Sequence, residues 1–185
     1  MNSHQLALRR GSQVALISIL ASGLLALFNI GLGWKGGSTS VVAAGVEFAG
    51  DVLASAVVLV GLRYGARPAD ENHPYGHGRV EILGGLIVGL ILVLSGVGIC
   101  IRSAQKIAEV HAPPAYYTIY PLAAAIFVKS ALSFLKFHVG RAIRSASLVA
   151  DAWNDAVDIL SAMAAMLALF LTMYDPARFL AADHY

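Results

Sequence analysis

Carboxylates stand inside two long apolar runs of this chain, where neither bulk water nor lipid receives them well. Glu47 and Asp51 interrupt the run from Ser40 to Leu62, and Asp151, Asp155 and Asp158 interrupt the run from Ser147 to Met173. A carboxylate near the bilayer centre costs roughly 2.5–3.5 kcal/mol on insertion scales unless it faces protein, water or a cation. Four-residue spacing sets Glu47 and Asp51 one turn apart on one helical face. Asn154 and Asp158 repeat that spacing, with Asp151 three residues before Asn154 on the same stripe. Paired oxygen donors on two membrane helices are what a buried cation site requires, so the pattern reads as a metal-ion pathway.

Composition places these runs in lipid. Of the 185 residues, 58% are hydrophobic and 13% charged, more apolar surface than one soluble core of this size hides. The single cysteine, Cys100, excludes a disulfide framework within the chain. The first apolar stretch is long enough to span and lacks a small-residue cleavage site, which argues against a secretory signal. A span needs about 20 apolar residues in helix. Val14–Trp34, Ser40–Leu62, Val80–Ile101, Tyr116–Phe137 and Ser147–Met173 meet that requirement. The expected fold is an all-α membrane protein, a bundle of five transmembrane helices. Gly36-Gly37 predicts a tight turn and an antiparallel hairpin of the first two helices, and Pro113-Pro114 breaks the chain before the fourth.

Basic residues set the orientation. Arg9, Arg10, Arg63, Arg67, Arg79, Lys136, Arg141 and Arg144 fall on one side, against Lys35, Arg102, Lys106 and Arg178 on the other. The positive-inside rule then puts the N-terminus in the cytoplasm and makes Arg63 to Arg79 a cytoplasmic loop.

If the acidic faces of the second and fifth helices meet, Glu47, Asp51, Asn154 and Asp158 converge as a tetrahedral or distorted octahedral divalent site requires. Asp151, near the start of its helix, also suits a capping role solvated by headgroups. The loop Pro68-Ala-Asp-Glu-Asn-His-Pro-Tyr-Gly-His77 offers a carboxylate and two imidazoles in Asp70, His73 and His77. Those are ligand types that zinc and its neighbours favour, although such a loop also serves as a plain structural turn. Lys129 is a cation inside the fourth span. It either pairs with a buried acid or snorkels to the interface on its long stem. Gly84, Gly85, Gly89, Gly96 and Gly98 suit close packing of the third helix.

Three segments carry a family resemblance. Gly36-Gly-Ser-Thr-Ser-Val-Val-Ala-Ala-Gly-Val-Glu-Phe-Ala-Gly-Asp51 resembles the second helix of the cation diffusion facilitators, the cation-efflux transporters. Arg67-Pro-Ala-Asp-Glu-Asn-His-Pro-Tyr-Gly-His-Gly-Arg-Val-Glu81 resembles the loop that follows it, and is the most specific signature of the three. Ala150-Asp-Ala-Trp-Asn-Asp-Ala-Val-Asp158 resembles the family's fifth helix. The resemblance implies a multi-pass homodimer that moves a divalent metal out of the cytoplasm against protons, placed here in a bacterial inner membrane. It implies a transport site of Glu47, Asp51, Asn154 and Asp158, and a loop site of Asp70, His73 and His77. Glu47 and Asn154 depart from the ligands common in zinc-transporting members, so Mn²⁺, Fe²⁺, Zn²⁺ and Co²⁺ all stay open as the transported ion. The family's usual six spans and cytoplasmic metal-binding domain imply a fragment or natural truncation, since the chain stops at Tyr185 where a sixth span is expected.

Membrane lipid, divalent metal ions, protons and a second copy of the chain are the expected partners; no nucleic-acid partner and no cofactor are expected. A non-transporting membrane scaffold or regulatory truncated paralogue is the alternative reading, and a proton or cation channel using the same acids is a third. No nucleophile–base constellation or nucleotide loop points to an enzyme.

Overall fold

The computed structural model describes residues 3–36, 39–68, 70–71, 73–106 and 119–174. They form α1 (Ser3–Gly36), α2 (Thr39–Gly65), α3 (Gly78–Lys106), α4 (Ile119–Ile143) and α5 (Ala146–Tyr174). The protein is an all-α membrane bundle. Within the described residues, the segments Leu6–Lys35, Val41–Gly65, Gly78–Gly98 and Ile119–Ile143 are long and apolar enough to cross a membrane. The fifth expected span falls on α5, which is as long as α3 and carries its three aspartates in its first half. Each helix continues past the C-terminal end of its apolar run. The expected second residue of the Gly36-Gly37 turn, the Pro113-Pro114 break and the end of the chain after Asp175 lie outside the described residues.

Small residues let the helices close. A Cβ on Gly45 would stand 2.8 Å from the backbone nitrogen of Ile30, so α1 and α2 approach there almost backbone to backbone. Gly85 faces the Ser147 backbone at the start of α5, with 3.2 Å to an added Cβ, and Gly84 faces the Val57 carbonyl of α2 at 3.6 Å. The expectation for α3 holds for these two glycines. At Gly89, Gly96 and Gly98 a Cβ would meet nothing within 4 Å among the described atoms, so these three do not set helix contacts within the described bundle. Leu8, Val14, Ala15, Ala54, Val58, Leu62, Val88 and Leu148 make an apolar core near the end of the bundle where α1 begins and α2 finishes. The opposite faces are rich in exposed Leu, Ile and Val, as lipid contact requires.

The turn between α4 and α5 fixes the register of that antiparallel pair. Arg144 takes a left-handed conformation at φ 56°. The Ser145 N–H then reaches the Gly140 carbonyl at 2.8 Å and the Arg144 N–H reaches the Arg141 carbonyl at 3.3 Å, closing α4 as a Schellman motif. Ser145 is also the N-cap of α5, its Oγ accepting the Leu148 N–H at 3.2 Å. The Ser133 hydroxyl donates across to the Ala152 carbonyl at 2.9 Å. In this register the lysines of α4 face the aspartates of α5.

Candidate metal centre

Near the middle of the bundle, α2 contributes Asp51, α4 contributes Lys129, and α5 contributes Asn154, Asp155 and Asp158. The Asn154 Nδ2 donates to Asp51 Oδ1 at 2.6 Å, which joins the two helices that the acid spacing singled out. The other Asp51 oxygen lies 2.6 Å from Lys129 Nζ. The same ammonium sits 2.8 Å from Asp155 Oδ1 and 2.9 Å from Asp158 Oδ2. Three N–H donors thus meet three carboxylates, which saturates the ammonium. Phe48 of α2 adds its ring face, 5.4 Å from the same nitrogen. Lys129 is 1% exposed. Of the two expectations for this lysine, pairing with buried acid is what the structure shows; snorkelling is not.

A second layer lies toward the α4–α5 turn. Lys136 Nζ stands 2.8 Å from Asp151 Oδ2 and 2.5 Å from Asp155 Oδ2. These are ion pairs by distance, although their approach angles fall outside hydrogen-bond geometry. Asp155 therefore bridges the two lysines, one oxygen to each. Asp151 also accepts from the Ser55 hydroxyl at 2.9 Å, and Ser55 lies 3.0 Å from the Ser18 hydroxyl of α1. Two sequence expectations are corrected here. Lys136, counted among the basic residues that set orientation, is fully buried and paired with α5 aspartates, so it does not mark a side of the membrane. Asp151 is not solvated by headgroups or serving as a cap: it is buried and paired, and Ser145 does the capping.

Four carboxylates, Asp51, Asp151, Asp155 and Asp158, thus face two ammoniums, Lys129 and Lys136. With every group ionised, two negative charges remain uncompensated, the charge of one divalent cation. Glu47 sits one turn from Asp51 toward the start of α2 and is exposed.

The loop between α2 and α3 folds around its acid. The backbone N–H of His73 donates to Asp70 Oδ1 at 2.7 Å, and that bond, first among the causes, holds the Asp70 carboxyl below its usual 3.8. Slight burial works against it, and the His73 and His77 side chains add to it. Gly76 supplies the positive φ, 79°, that brings His77 back over the turn. The result places His73 Nδ1 3.2 Å from Asp70 Oδ1 and His77 Nε2 3.4 Å from Asp70 Oδ2. One ligand atom from each of the three lies within 4.8 Å of the others, close enough for one ion. His77 Nδ1 is 3.3 Å from the Pro68 carbonyl, an arrangement that leaves Nε2 as the ligand-ready nitrogen.

Residues 15–184 match the family model described as the cation efflux transmembrane domain. The chain belongs to the cation efflux family. It is 30% identical over 166 residues to the manganese efflux system protein MneP of Bacillus subtilis, covering 90% of this chain and 56% of that protein. It is 30% identical over 165 residues to the cation-efflux pump FieF of Cronobacter sakazakii, covering 88% of this chain and 55% of that one. The magnetosome protein MamB of Paramagnetospirillum magneticum is 27% identical over 150 residues, with 80% of this chain and 51% of MamB covered. The chain spans a little over half the length of these relatives. Membership of the family and its apolar helices make it an integral membrane protein.

Against this family background, Asp51, Asn154 and Asp158 come together as their spacing suggests, and Asp70, His73 and His77 form their own cluster. Sequence reasoning missed the roles of Asp155 and Lys136. A signal for both was present. Lys129 and Lys136 are seven apart and Asp151, Asp155 and Asp158 follow at intervals of four and three, so each set lines one helical face.

Proposed function

We propose that this chain forms the ion-conducting part of a divalent transition-metal exporter, working as a metal/proton antiporter. The supporting observation is the convergence of Asp51 from α2 with Asn154 and Asp158 from α5 around one buried cation position. In this reading Asp51 and Asp158 supply anionic oxygens. The Asn154 amide turns to offer its carbonyl oxygen, and Glu47 receives the ion one turn away. A desolvated carboxylate without its cation favours the protonated form, so proton uptake as the metal leaves fits the counter-transport. Asp70, His73 and His77 form an accessory site at the cytoplasmic end, consistent with the basic residues Arg63, Arg67 and Arg79 around that loop. The N-terminus is cytoplasmic, the membrane is a bacterial inner membrane, and the working unit is a homodimer.

Mn²⁺, or Fe²⁺ at the borderline, suits an all-oxygen set better than zinc, which favours nitrogen and sulfur donors. The similarity to a manganese efflux system protein supports that order. Zinc still competes, because it binds most sites more tightly than Mn²⁺ or Fe²⁺.

The test is Mn²⁺ flux, with pH recorded alongside, in proteoliposomes of the whole protein. Asp51→Ala and Asp158→Ala each abolish flux, whereas His73→Ala weakens it less. Unchanged flux from Asp51→Ala refutes the site, and metal flux without proton exchange would favour a channel.

A further inference from the structure

The mid-membrane cluster holds a cation of its own, and that cation is tethered. Lys129 reaches it from α4, a helix that supplies none of the proposed metal ligands, and commits all three ammonium donors to Asp51, Asp155 and Asp158. Two of those three carboxylates are the anionic ligands proposed for the metal. A metal ion taken up by those carboxylates would stand close beside the ammonium, and two positive charges that near each other in a buried site repel strongly.

We infer that the Lys129 ammonium is a built-in competitor of the transported ion: it occupies the cation position between α2 and α5 and withdraws from Asp51 and Asp158 as the metal binds. The inference rests on the reading of Asp51 and Asp158 as metal ligands and adds what regulates access to them. Asp155 is what makes withdrawal feasible. It is buried, is not among the proposed ligands, and already holds Lys129 through Oδ1 and Lys136 through Oδ2. A buried ammonium must keep an anionic partner. Lys129 can release two carboxylates while keeping the third, since its four-carbon stem is flexible. The consequence for transport is a lowered metal affinity. A conducting site must bind well enough to load and weakly enough to unload, and a displaceable internal cation achieves the second without removing ligands.

The experiment measures Mn²⁺ binding by calorimetry on the whole protein in nanodiscs, together with Mn²⁺ flux in proteoliposomes. Lys129→Gln is expected to bind Mn²⁺ about tenfold tighter or more, because a repelling charge beside the ion is gone, and to turn over more slowly. The double variant Lys129→Gln with Asp155→Asn removes one charge of each sign. It serves where the single variant does not fold, and it too is expected to bind more tightly. Unchanged or weaker Mn²⁺ affinity in a folded form of either overturns the inference and makes Lys129 a fixed structural partner. A wild-type structure with Mn²⁺ at the site and Nζ still within hydrogen-bond distance of both Asp51 and Asp158 overturns it without any variant. Asp51→Ala separates the two failures. If it abolishes binding while Lys129→Gln does not tighten it, the metal site stands and only the tethered cation falls. If Asp51→Ala binds Mn²⁺ like the wild type, the ligand assignment fails and takes this inference with it.

Discussion

Asn154 donates its amide to Asp51, so it presents a nitrogen toward that carboxylate and has to turn over before it offers oxygen to an ion. That makes position 154 a natural control of metal choice. Asn154→His would add an imidazole and shift preference toward Zn²⁺. Competition among Mn²⁺, Fe²⁺, Co²⁺ and Zn²⁺ on both proteins measures it, and an identical ranking would remove Asn154 from the ligand set. The neighbouring lysine layer has a different consequence. Lys136 is the only described ammonium against both Asp151 and Asp155 Oδ2. Lys136→Met strands those carboxylates in a buried site, and breaking such a pair costs about 3–5 kcal/mol. Chemical unfolding in micelles reads that loss; a change below about 1 kcal/mol would show water or another group already compensating them. Much of this chemistry was legible in the sequence, because an acid inside an apolar run has so few acceptable fates. Asp155 was harder to place. It follows Asn154 by one residue, about 100° round the helix, so it fell off the Asn154–Asp158 stripe. It proved central because lysines from α4 approach α5 on that side.

At the level of elements, α4 and α5 act as one unit through their turn. Arg144 carries a conformation that a side chain with a Cβ adopts at a cost of about 1–2 kcal/mol. Arg144→Gly is expected to stabilise the protein by about 1 kcal/mol with the register unchanged. Thermal unfolding with flux as a control checks it, and a destabilised variant would mean the guanidinium makes contacts that outweigh the strain. The α2–α3 loop is a second unit with its own acid dependence. Its Asp70 carboxyl, followed by carbon-13 NMR, is expected to titrate below the usual 3.8. A depressed carboxylate supports the folded loop above its unfolded value, and that support is lost as pH falls through the lowered folded value. A midpoint at or above 3.8 would mean that the His73 N–H bond is not held in solution. The composition of this loop, and the positions of its turn residues, were enough to name its three side chains. The same reading misjudged Lys136. Its place near the end of the fourth apolar run puts it with the charges that mark one side, whereas the helix runs on to Ile143 and turns that face toward α5.

For the molecule as a whole, the helices bring the start of α1, the end of α2, the start of α3 and the α4–α5 turn to one end. A Cβ on Gly11 would touch both Leu62 and Ile143, and Gly65 lies against Glu81. With Lys136 withdrawn from the tally, Arg9, Arg10, Arg63, Arg67, Arg79, Arg141 and Arg144 still gather at that end, which keeps the proposed cytoplasmic orientation. The loop cluster sits there too, and the Asp51–Asp158 cluster lies deeper, with the buried Lys136 layer between that end and the central ammonium. The central claim is that one divalent ion binds between α2 and α5. Anomalous scattering from Mn²⁺ in crystals of the protein measures this directly. Density about 2.0–2.6 Å from carboxylate oxygens of both Asp51 and Asp158 is the expected result, with Nζ of Lys129 displaced from them. Density confined to Asp70, His73 and His77, with Asp51 still bound to Lys129 at saturating Mn²⁺, would contradict the shared site.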